Sequence, residues 1–379
     1  MNVVIMVSDG YPFKFTANNS KGEFIALGMK EAGCTVTMID NMHGTKGILS
    51  IQKGVSPHGI PYIIFPRIGK YTAFLRNIPY LWFTLKALKQ KKDKNHLIMG
   101  MMDYPLFIIV AFMGIILGYK RSTLFHEWHI GIKHTNHFWK IEAYLKDKTF
   151  GYFLNAIFPI GHYLQQKALK FQKPMLLVPV LASFERKIDN HTKKNHFTFC
   201  GHATYLIRNQ IVLDAFEKVI KTHPSIKLIL ILVGTETQKG EIKKILHNKN
   251  IANSVDIKSK IPQDELYSIY DSSLGLLIPL DPNSLQDKAR FSQKIAEYTA
   301  SHRPIITSNV GEIPYYFKNN ESAIIVPFTP EGYAKGMLSL IENINNSEVI
   351  GENGYKVGLH YFNYKKVGKQ IKKFISNLQ

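Results

Sequence analysis

Phe291-Ser-Gln-Lys-Ile-Ala-Glu-Tyr-Thr-Ala-Ser-His-Arg-Pro-Ile-Ile-Thr-Ser308 reads as a loop opening a helix, then a turn, then a buried strand. The first backbone N–H groups of such a helix have no partners within it and carry the positive end of its dipole, so they suit phosphate oxygens. One turn further on, Lys294 and Glu297 stand three residues apart on one helical face. A carboxylate there can accept two hydrogen bonds from a cis-diol such as ribose, while the ammonium complements phosphate charge. Together these groups describe a grip for a nucleoside diphosphate. The plainer alternative for Glu297 is a charge on the solvated face of an amphipathic helix.

Outward from that stretch, strand and helix signals alternate along the chain. Strands are predicted over 3–8, 35–40, 62–66, 96–101 and 122–129, with helices over 21–32, 78–91 and 106–117. Residues 155–161 and 175–179 read as the last strands of this half. After a polar stretch at 182–195, the best linker candidate, a second alternation follows. Its strands fall at 197–201, 227–234, 255–258, 274–280 and 304–308, and its helices at 209–222, 239–248, 263–271 and 292–301. Alternation of this kind builds βαβ units and parallel sheets. The tail, 364–377, reads as a basic helix.

The chain has 379 residues, more than one hydrophobic core usually supports, so two domains are expected. Its 45% hydrophobic content excludes a disordered chain. The formal net charge is +20, and residues 1–190 carry 24 basic against 11 acidic side chains. An anionic partner, whether lipid surface, acidic glycolipid or nucleic acid, is therefore expected on the first half. The basic residues show neither a nucleic-acid-binding module nor regular aromatic interleaving, which disfavours nucleic acid. Cys34 and Cys200 are the only cysteines, far apart and in different predicted domains. They offer no disulfide framework or zinc ribbon, and the expectation is a reducing cytoplasm. The opening Met1–Gly10 stretch lacks a basic n-region and reads as a buried first strand ending in a glycine turn.

The segment from Phe107 to Gly118 is continuously apolar but 12 residues long, between Asp103 and Lys120-Arg121. Crossing a bilayer takes about 20 apolar residues, so a buried helix is predicted. Leu81–Lys94 joins apolar and aromatic residues to a lysine cluster. It suits an interfacial helix on anionic lipid and equally an ordinary helix with one solvated face.

The pattern Phe291-x-x-Lys294-x-x-Glu297-Tyr298, followed by Pro304-Ile-Ile-x-Ser308, resembles the C-terminal-domain signature of retaining family 4 glycosyltransferases. The resemblance runs in order along nearly the whole chain. It implies an α/β protein of GT-B type, with two Rossmann-like domains facing a central cleft. The expected division is residues 1–185 on the acceptor side, residues 196–362 for the nucleotide sugar, and a helix at 363–379 crossing back onto the first domain. The family often carries two glutamates separated by seven residues, the second binding ribose and the first contacting the donor sugar. Glu297 matches the second, but Ala289 stands at the first. Asp281 and Asp287, in the same loop, are the candidates to take over that contact. Phe291 and Ser292 belong to the phosphate-facing loop. Around Gly201 the family carries Gly-Arg and a later Lys on the diphosphate. Here His202 replaces that arginine, and Arg208 falls near the lysine position. A guanidinium suits bidentate phosphate contact, so Arg208 is the candidate clamp; a solvated loop arginine is the alternative.

In the first half, Ser8-Asp9-Gly10 follows strand one, and Gly10 permits close approach of backbone to a phosphate or acceptor. Leu124-Phe-His-Glu-Trp-His129 resembles the family strand whose terminal histidine contacts the donor sugar, which points to His129. A packed strand-end histidine is the alternative. His126 is expected to face the other way on that strand. His126, His129, His134 and His137 lack the spacing of a helical metal pair, and the chain has no Asp-x-Asp. Metal-independent transfer is therefore expected, with His129, Arg208 and Lys294 as catalytic candidates. The resemblance implies hexosyl transfer, with retention, from a UDP- or GDP-linked donor, with no other cofactor. The acceptor would be a glycan or lipid-linked hydroxyl in bacterial polysaccharide or lipopolysaccharide synthesis. The enzyme would be cytoplasmic, attached peripherally to the anionic inner face of the membrane. An inverting transferase of the same fold and a non-catalytic two-lobed binder are the rival readings.

Overall fold

The computed structural model describes all residues except 8, 9, 14–16, 41–44, 68–72, 101, 132–135, 187, 189–194 and 379, and the side chains of 17, 18, 73 and 74. Ser8, Asp9, His134 and much of the candidate linker thus lie outside the described residues. The chain divides into two compact units. Met1–Leu181, Ala289–Gln293 and Phe362–Gln379 form the first; Ala182–Lys288 and Lys294–Tyr361 form the second.

In the first unit the elements run β1 (Asn2–Val7), α1 (Ala17–Glu31), β2 (Thr35–Asp40), β3 (Gln52–Val55), β4 (Pro61–Ile64), α2 (Ala73–Leu88) and β5 (Asn95–Met99). Then come α3 (Tyr104–Ile116), β6 (Lys120–Phe125), α4 (His137–Thr149), β7 (Ala156–Pro159) and α5 (His162–Ala168). The sheet order is β3-β4-β2-β1-β5-β6-β7, parallel except for β3 against β4. Every residue of β1 is buried, the signature of a strand covered on both faces.

The second unit is built in the same way. Its elements are β8 (His196–His202), α6 (Leu206–Thr222), β9 (Lys227–Val233), α7 (Glu236–Asn248), β10 (Val255–Lys258), α8 (Gln263–Asp271) and β11 (Gly275–Ile278). These are followed by α9 (Leu285–Ala289), α10 (Gln293–Thr299), β12 (Ile305–Thr307), α11 (Ile313–Tyr316), β13 (Ile324–Ile325), α12 (Pro330–Glu342) and α13 (Ile344–Tyr361). Its sheet, β10-β9-β8-β11-β12-β13, is parallel throughout. The expected α/β class with two parallel-sheet, Rossmann-like domains is what the chain adopts.

The last helix, α14 (Tyr364–Ser376), belongs to the first unit and lies on α1. It buries Tyr364, Val367, Ile371 and Ile375 and leaves Lys366, Lys369 and Lys373 exposed. The two helices touch backbone to backbone: a Cβ on Gly28 would sit 2.1 Å from the Tyr364 carbonyl oxygen. A Cβ on Gly368 would sit 2.1 Å from the Gly28 carbonyl carbon. Only glycine permits that crossing. Lys372 donates to the Ala32 carbonyl just past the C-terminus of α1, where a cation is favoured.

Several elements differ from expectation. Residues 175–179 form no strand; Met175 makes an isolated bridge to Ile157. Pro174 and Pro179, at either end, have no N–H to continue a ladder. The strand predicted to 129 stops at Phe125. The apolar helix α3 is only half buried: Phe112, Ile115 and Ile116 face solvent. Among the described residues no helix is long and apolar enough to cross a membrane.

Two buried histidines make the first unit acid-sensitive. Burial, aided by Arg121 and Lys120, holds His96 down at about 3. Burial, with Lys21 nearby, pushes His126 well below its ordinary value. Both are neutral in the folded chain and take up protons on unfolding below about pH 6.5. Their contribution is therefore complete above that pH and falls as pH drops, by about 1.4 kcal/mol per pH unit each. Urea unfolding between pH 7 and pH 5 should show a shallower loss of stability for His96→Asn than for wild type. Equal slopes would rule His96 out as a source.

Candidate functional site

Strand order in the second unit reverses between β8 and β11, the switch point beyond whose carboxyl ends open parallel sheets bind ligands. There β8 ends in Cys200-Gly201-His202, and the chain leaving β11 reaches Asp281. Arg208 lies in the first turn of α6. Its Nη2 donates to Asp287 Oδ1 at 2.6 Å, and its guanidinium stands 4.3 Å from the Tyr205 ring centre. The other Asp287 oxygen accepts from the Asp281 N–H at 2.8 Å. One buried carboxylate thus ties the 281–287 loop to α6 and holds the guanidinium in place.

Both Asp287 oxygens are engaged inside the protein, one by Arg208 and one by the Asp281 N–H. Ala289 is itself buried. Asp281 Oδ1 accepts from Asn283 N at 2.8 Å and turns the loop.

Gly201 and His202 have local explanations. A Cβ on Gly201 would lie 2.6 Å from the Phe199 ring, so the glycine makes room for that aromatic. His202 Nδ1 faces the Thr204 hydroxyl at 2.7 Å and accepts from the Thr204 N–H at 3.2 Å, at the entry to α6.

Lys294 and Glu297 lie on α10, which is tied to β8 through Tyr298. The Tyr298 hydroxyl accepts from Cys200 N at 3.2 Å, and its ring meets Tyr270 edge-on at 4.8 Å. Burial raises the Cys200 thiol, with the Lys294 charge opposing the rise and the Glu297 charge adding to it. Both charges are therefore within electrostatic reach of Cys200 in β8. Glu297 also lines a cavity of about 290 Å³ with Ser183, Glu185, Arg186 and Tyr267. There the Arg186 guanidinium lies 4.5 Å over the Tyr267 ring and pairs with Asp271. An acid, a base and an aromatic face around one cavity suit a polar, planar ligand.

Phe291 and Ser292 fall in the 289–293 segment, which counts with the first unit. Phe291 is buried with its ring 5.4 Å from that of Phe362, so it serves packing rather than ligand contact. Nearby, Arg290 pairs with Glu127 at 2.7 Å, and Gln293 Nε2 donates to the Leu181 carbonyl at 2.6 Å.

In the first unit, Gly10 has φ +87 and its N–H donates to Thr45 Oγ1 at 3.2 Å. Thr45 in turn donates to Asp40 at 3.0 Å. Its glycine is required by the left-handed turn. His129 sits not at a strand end but in a single helical turn, His129–Gly131. Its Nδ1 faces Asp147 Oδ1 at 2.8 Å, and Asp147 Oδ2 accepts from the Ile130 N–H at 2.8 Å. His126 is buried just past β6. The two histidines therefore differ by depth, and the alternation of strand faces does not apply to them. Among the described residues no group of three metal-ligating side chains gathers.

Sequence reasoning missed Asp147, Arg186 and Tyr267. Arg186 lay in what read as linker, and Tyr267 and Asp147 in helices without a marker motif. Their relevance is purely positional.

Residues 182–357 match the family model described as Glycosyl transferases group 1. No curated protein matches the sequence. Among solved structures, the chain is similar to sucrose-phosphate synthase from Thermosynechococcus elongatus, with TM-score 0.74 and 12% identity over 100% of this chain and 98% of that one. It is similar to HepE from Anabaena in complex with UDP, with TM-score 0.71 and 11% identity over 100% of both chains. A glycosyltransferase from Rickettsia africae gives TM-score 0.71 and 13% identity over 99% of both. Likeness at such identity concerns the fold. Residues 182–357 are thus similar to the group 1 glycosyl transferases, and the chain adopts a two-domain fold of GT-B type.

Proposed function

We propose that this protein transfers a hexose-type unit, with retention and without a bound metal, from a UDP- or GDP-linked donor to a hydroxyl acceptor. The observation that carries the reading is Arg208, fixed by Asp287 and Tyr205 at the switch point of the second unit. Lys294 and Glu297 lie on α10, which Tyr298 ties to Cys200 of the adjoining strand. Arg208 and Lys294 would oppose the diphosphate, which becomes more negative as the bond from C1 to its oxygen breaks. Glu297 would hold the ribose hydroxyls. The acceptor oxygen would bond C1 on the face the diphosphate leaves, passing its proton to the departing phosphate. HepE from Anabaena is known in complex with UDP and with UDP-glucose, which supports a nucleotide-sugar donor here. The acceptor in this reading is a glycan or lipid-linked hydroxyl of polysaccharide or lipopolysaccharide synthesis, met at the anionic inner face of the membrane.

Release of UDP or GDP from a panel of nucleotide sugars tests the reading. A protein that binds donors yet releases no nucleoside diphosphate with any acceptor is a binder, not a transferase. Arg208→Ala and Lys294→Ala should each raise donor KM and lower kcat, since both charges matter most in the transition state. Arg208→Lys should recover only part of the loss, because an ammonium lacks the planar fork. Turnover equal to wild type in both alanine variants would assign the phosphates to other cations.

One observation favours a second reading. His129 backed by the Asp147 carboxylate is the arrangement of an oriented general base, which an inverting transferase needs. The anomeric configuration of the first product, read by NMR, separates the two: retention removes the base role from His129.

A further inference from the structure

Helix α4 wears its apolar side outward. Phe138 is 60% exposed, Ile141 59%, Tyr144 53% and Leu145 45%. These positions recur at helical spacing on the face opposite its only fully buried residues, Ala143 and Asp147. Lys148 lies within that outward face, and Lys140 is exposed at its edge, two turns before Asp147. Both carboxylates of α4 turn away from it: Glu142 accepts from the Tyr104 N–H at 2.6 Å, and Asp147 is buried on His129 and Ile130. The apolar surface continues onto neighbouring elements. Tyr152, just after α4, is exposed, and Phe112 of α3 reaches Phe153 with ring centres 5.8 Å apart. Beyond Phe112, α3 exposes Ile115 and Ile116. A Cβ on Gly118 would lie 3.3 Å from the Lys89 ammonium, so that cation stands at the end of the same helix. Helix α3 has no charged residue.

We infer that the outward face of α4, continued by the C-terminal half of α3, is a lipid-docking surface that seats in the interface of an anionic bilayer. The inference deepens the membrane part of the function proposed above and rests on that reading. Aromatic and aliphatic side chains ringed by lysines match the depth profile of an interface, apolar below and phosphate-rich above. Charge selects this occupant over a second copy of the chain. Two such faces pressed together would oppose Lys148, with Lys140 at the edge, to their counterparts, with no outward carboxylate on α4 to neutralise them. Anionic lipid supplies that countercharge. Seating also has a structural consequence, because the inward side of α4 holds His129 through Asp147. Lipid would then lie one helix thickness from a candidate site residue.

The test uses the full chain with phosphatidylglycerol vesicles. Wild type should pellet with them and should bind phosphatidylcholine vesicles at least tenfold more weakly. Ile141→Glu with Leu145→Glu should lower partitioning at least tenfold at both low and high salt. Lys140→Glu with Lys148→Glu should lower it mainly at low salt, since ion pairing is screened and apolar insertion is not. UDP calorimetry on the same variants should be unchanged, which separates loss of docking from loss of the donor site. Three results overturn the inference: wild type left in the supernatant, the glutamate pair pelleting like wild type, or a self-association that the same pair abolishes without any vesicle binding. None of these touches UDP affinity, so the transferase reading stands or falls separately.

Discussion

Glu297→Ala should weaken binding of the nucleoside diphosphate by about 10- to 150-fold while the protein stays folded. The carboxylate lies one turn into α10, within electrostatic reach of Cys200 in β8 and on the wall of the Arg186–Tyr267 cavity. In the proposed role it accepts hydrogen bonds from both ribose hydroxyls, and losing charge-assisted bonds of that kind costs roughly 1.5–3 kcal/mol. Fold retention is expected because α10 is anchored by Ile295, Ala296 and Tyr298, all buried. Glu297→Gln should fall between wild type and alanine, since an amide keeps one acceptor and loses the charge. Calorimetry with UDP and GDP reads the effect directly. Unchanged affinity for both nucleotides would remove Glu297 from the site and return it to the role of a helix-surface charge.

Asp147→Ala should destabilise the first unit by about 2–4 kcal/mol and lower kcat more than it raises donor KM. Its side chain is fully buried and receives both the His129 ring and the Ile130 N–H. Truncation strands those donors away from water, at roughly 1–3 kcal/mol for each buried group left unsatisfied. The catalytic part of the expectation comes from His129, whose ring loses the group that sets its orientation. Asp147→Asn, nearly isosteric, should recover most of the stability while leaving turnover low, because the amide offers only one acceptor where the carboxylate offers two. Denaturant unfolding and steady-state kinetics on the two variants separate these effects. Wild-type turnover in Asp147→Asn would limit Asp147 to a structural part and weaken the case for His129.

Much of the architecture was legible in the chain because apolar runs such as Val3–Val7 and Leu228–Leu232 leave little choice but strands covered on both faces. The helix α8 was read with its observed bounds, Gln263–Asp271. No element was predicted over helix α13: Ile344–Tyr361 contains Gly351, Gly354 and Gly358, which lower helix propensity. Its glycines answer a tertiary need, since a Cβ on Gly358 would meet Thr299 Oγ1 at 2.4 Å. Close packing has overridden helix propensity there.

The candidate site divides along the same line. Lys294 and Glu297 were found because both sit on one short helix, where spacing alone sets their common face. Arg208 was found by its place after β8, but its partner was not. The Arg208–Asp287 pair spans 79 residues, and Asp147 and His129 lie 18 apart across a turn and a helix. Local periodicity carries no information about such pairings, which arise only when separate elements take their places on a sheet.

Helix α4 makes the distinction sharpest. Its sequence, His137-Phe-Trp-Lys-Ile-Glu-Ala-Tyr-Leu-Lys-Asp-Lys-Thr149, is compatible with a helix burying its aromatics and exposing Asp147. The fold does the reverse, because the buried carboxylate finds the His129 ring and the Ile130 N–H, whose hydrogen bonds offset its desolvation. The sequence by itself determined two parallel-sheet halves and a charged helix behind the last loop. Which side of each helix meets water, and which charges meet each other, was decided only by tertiary packing, since burial depends on what stands opposite a residue and not on its neighbours in the chain.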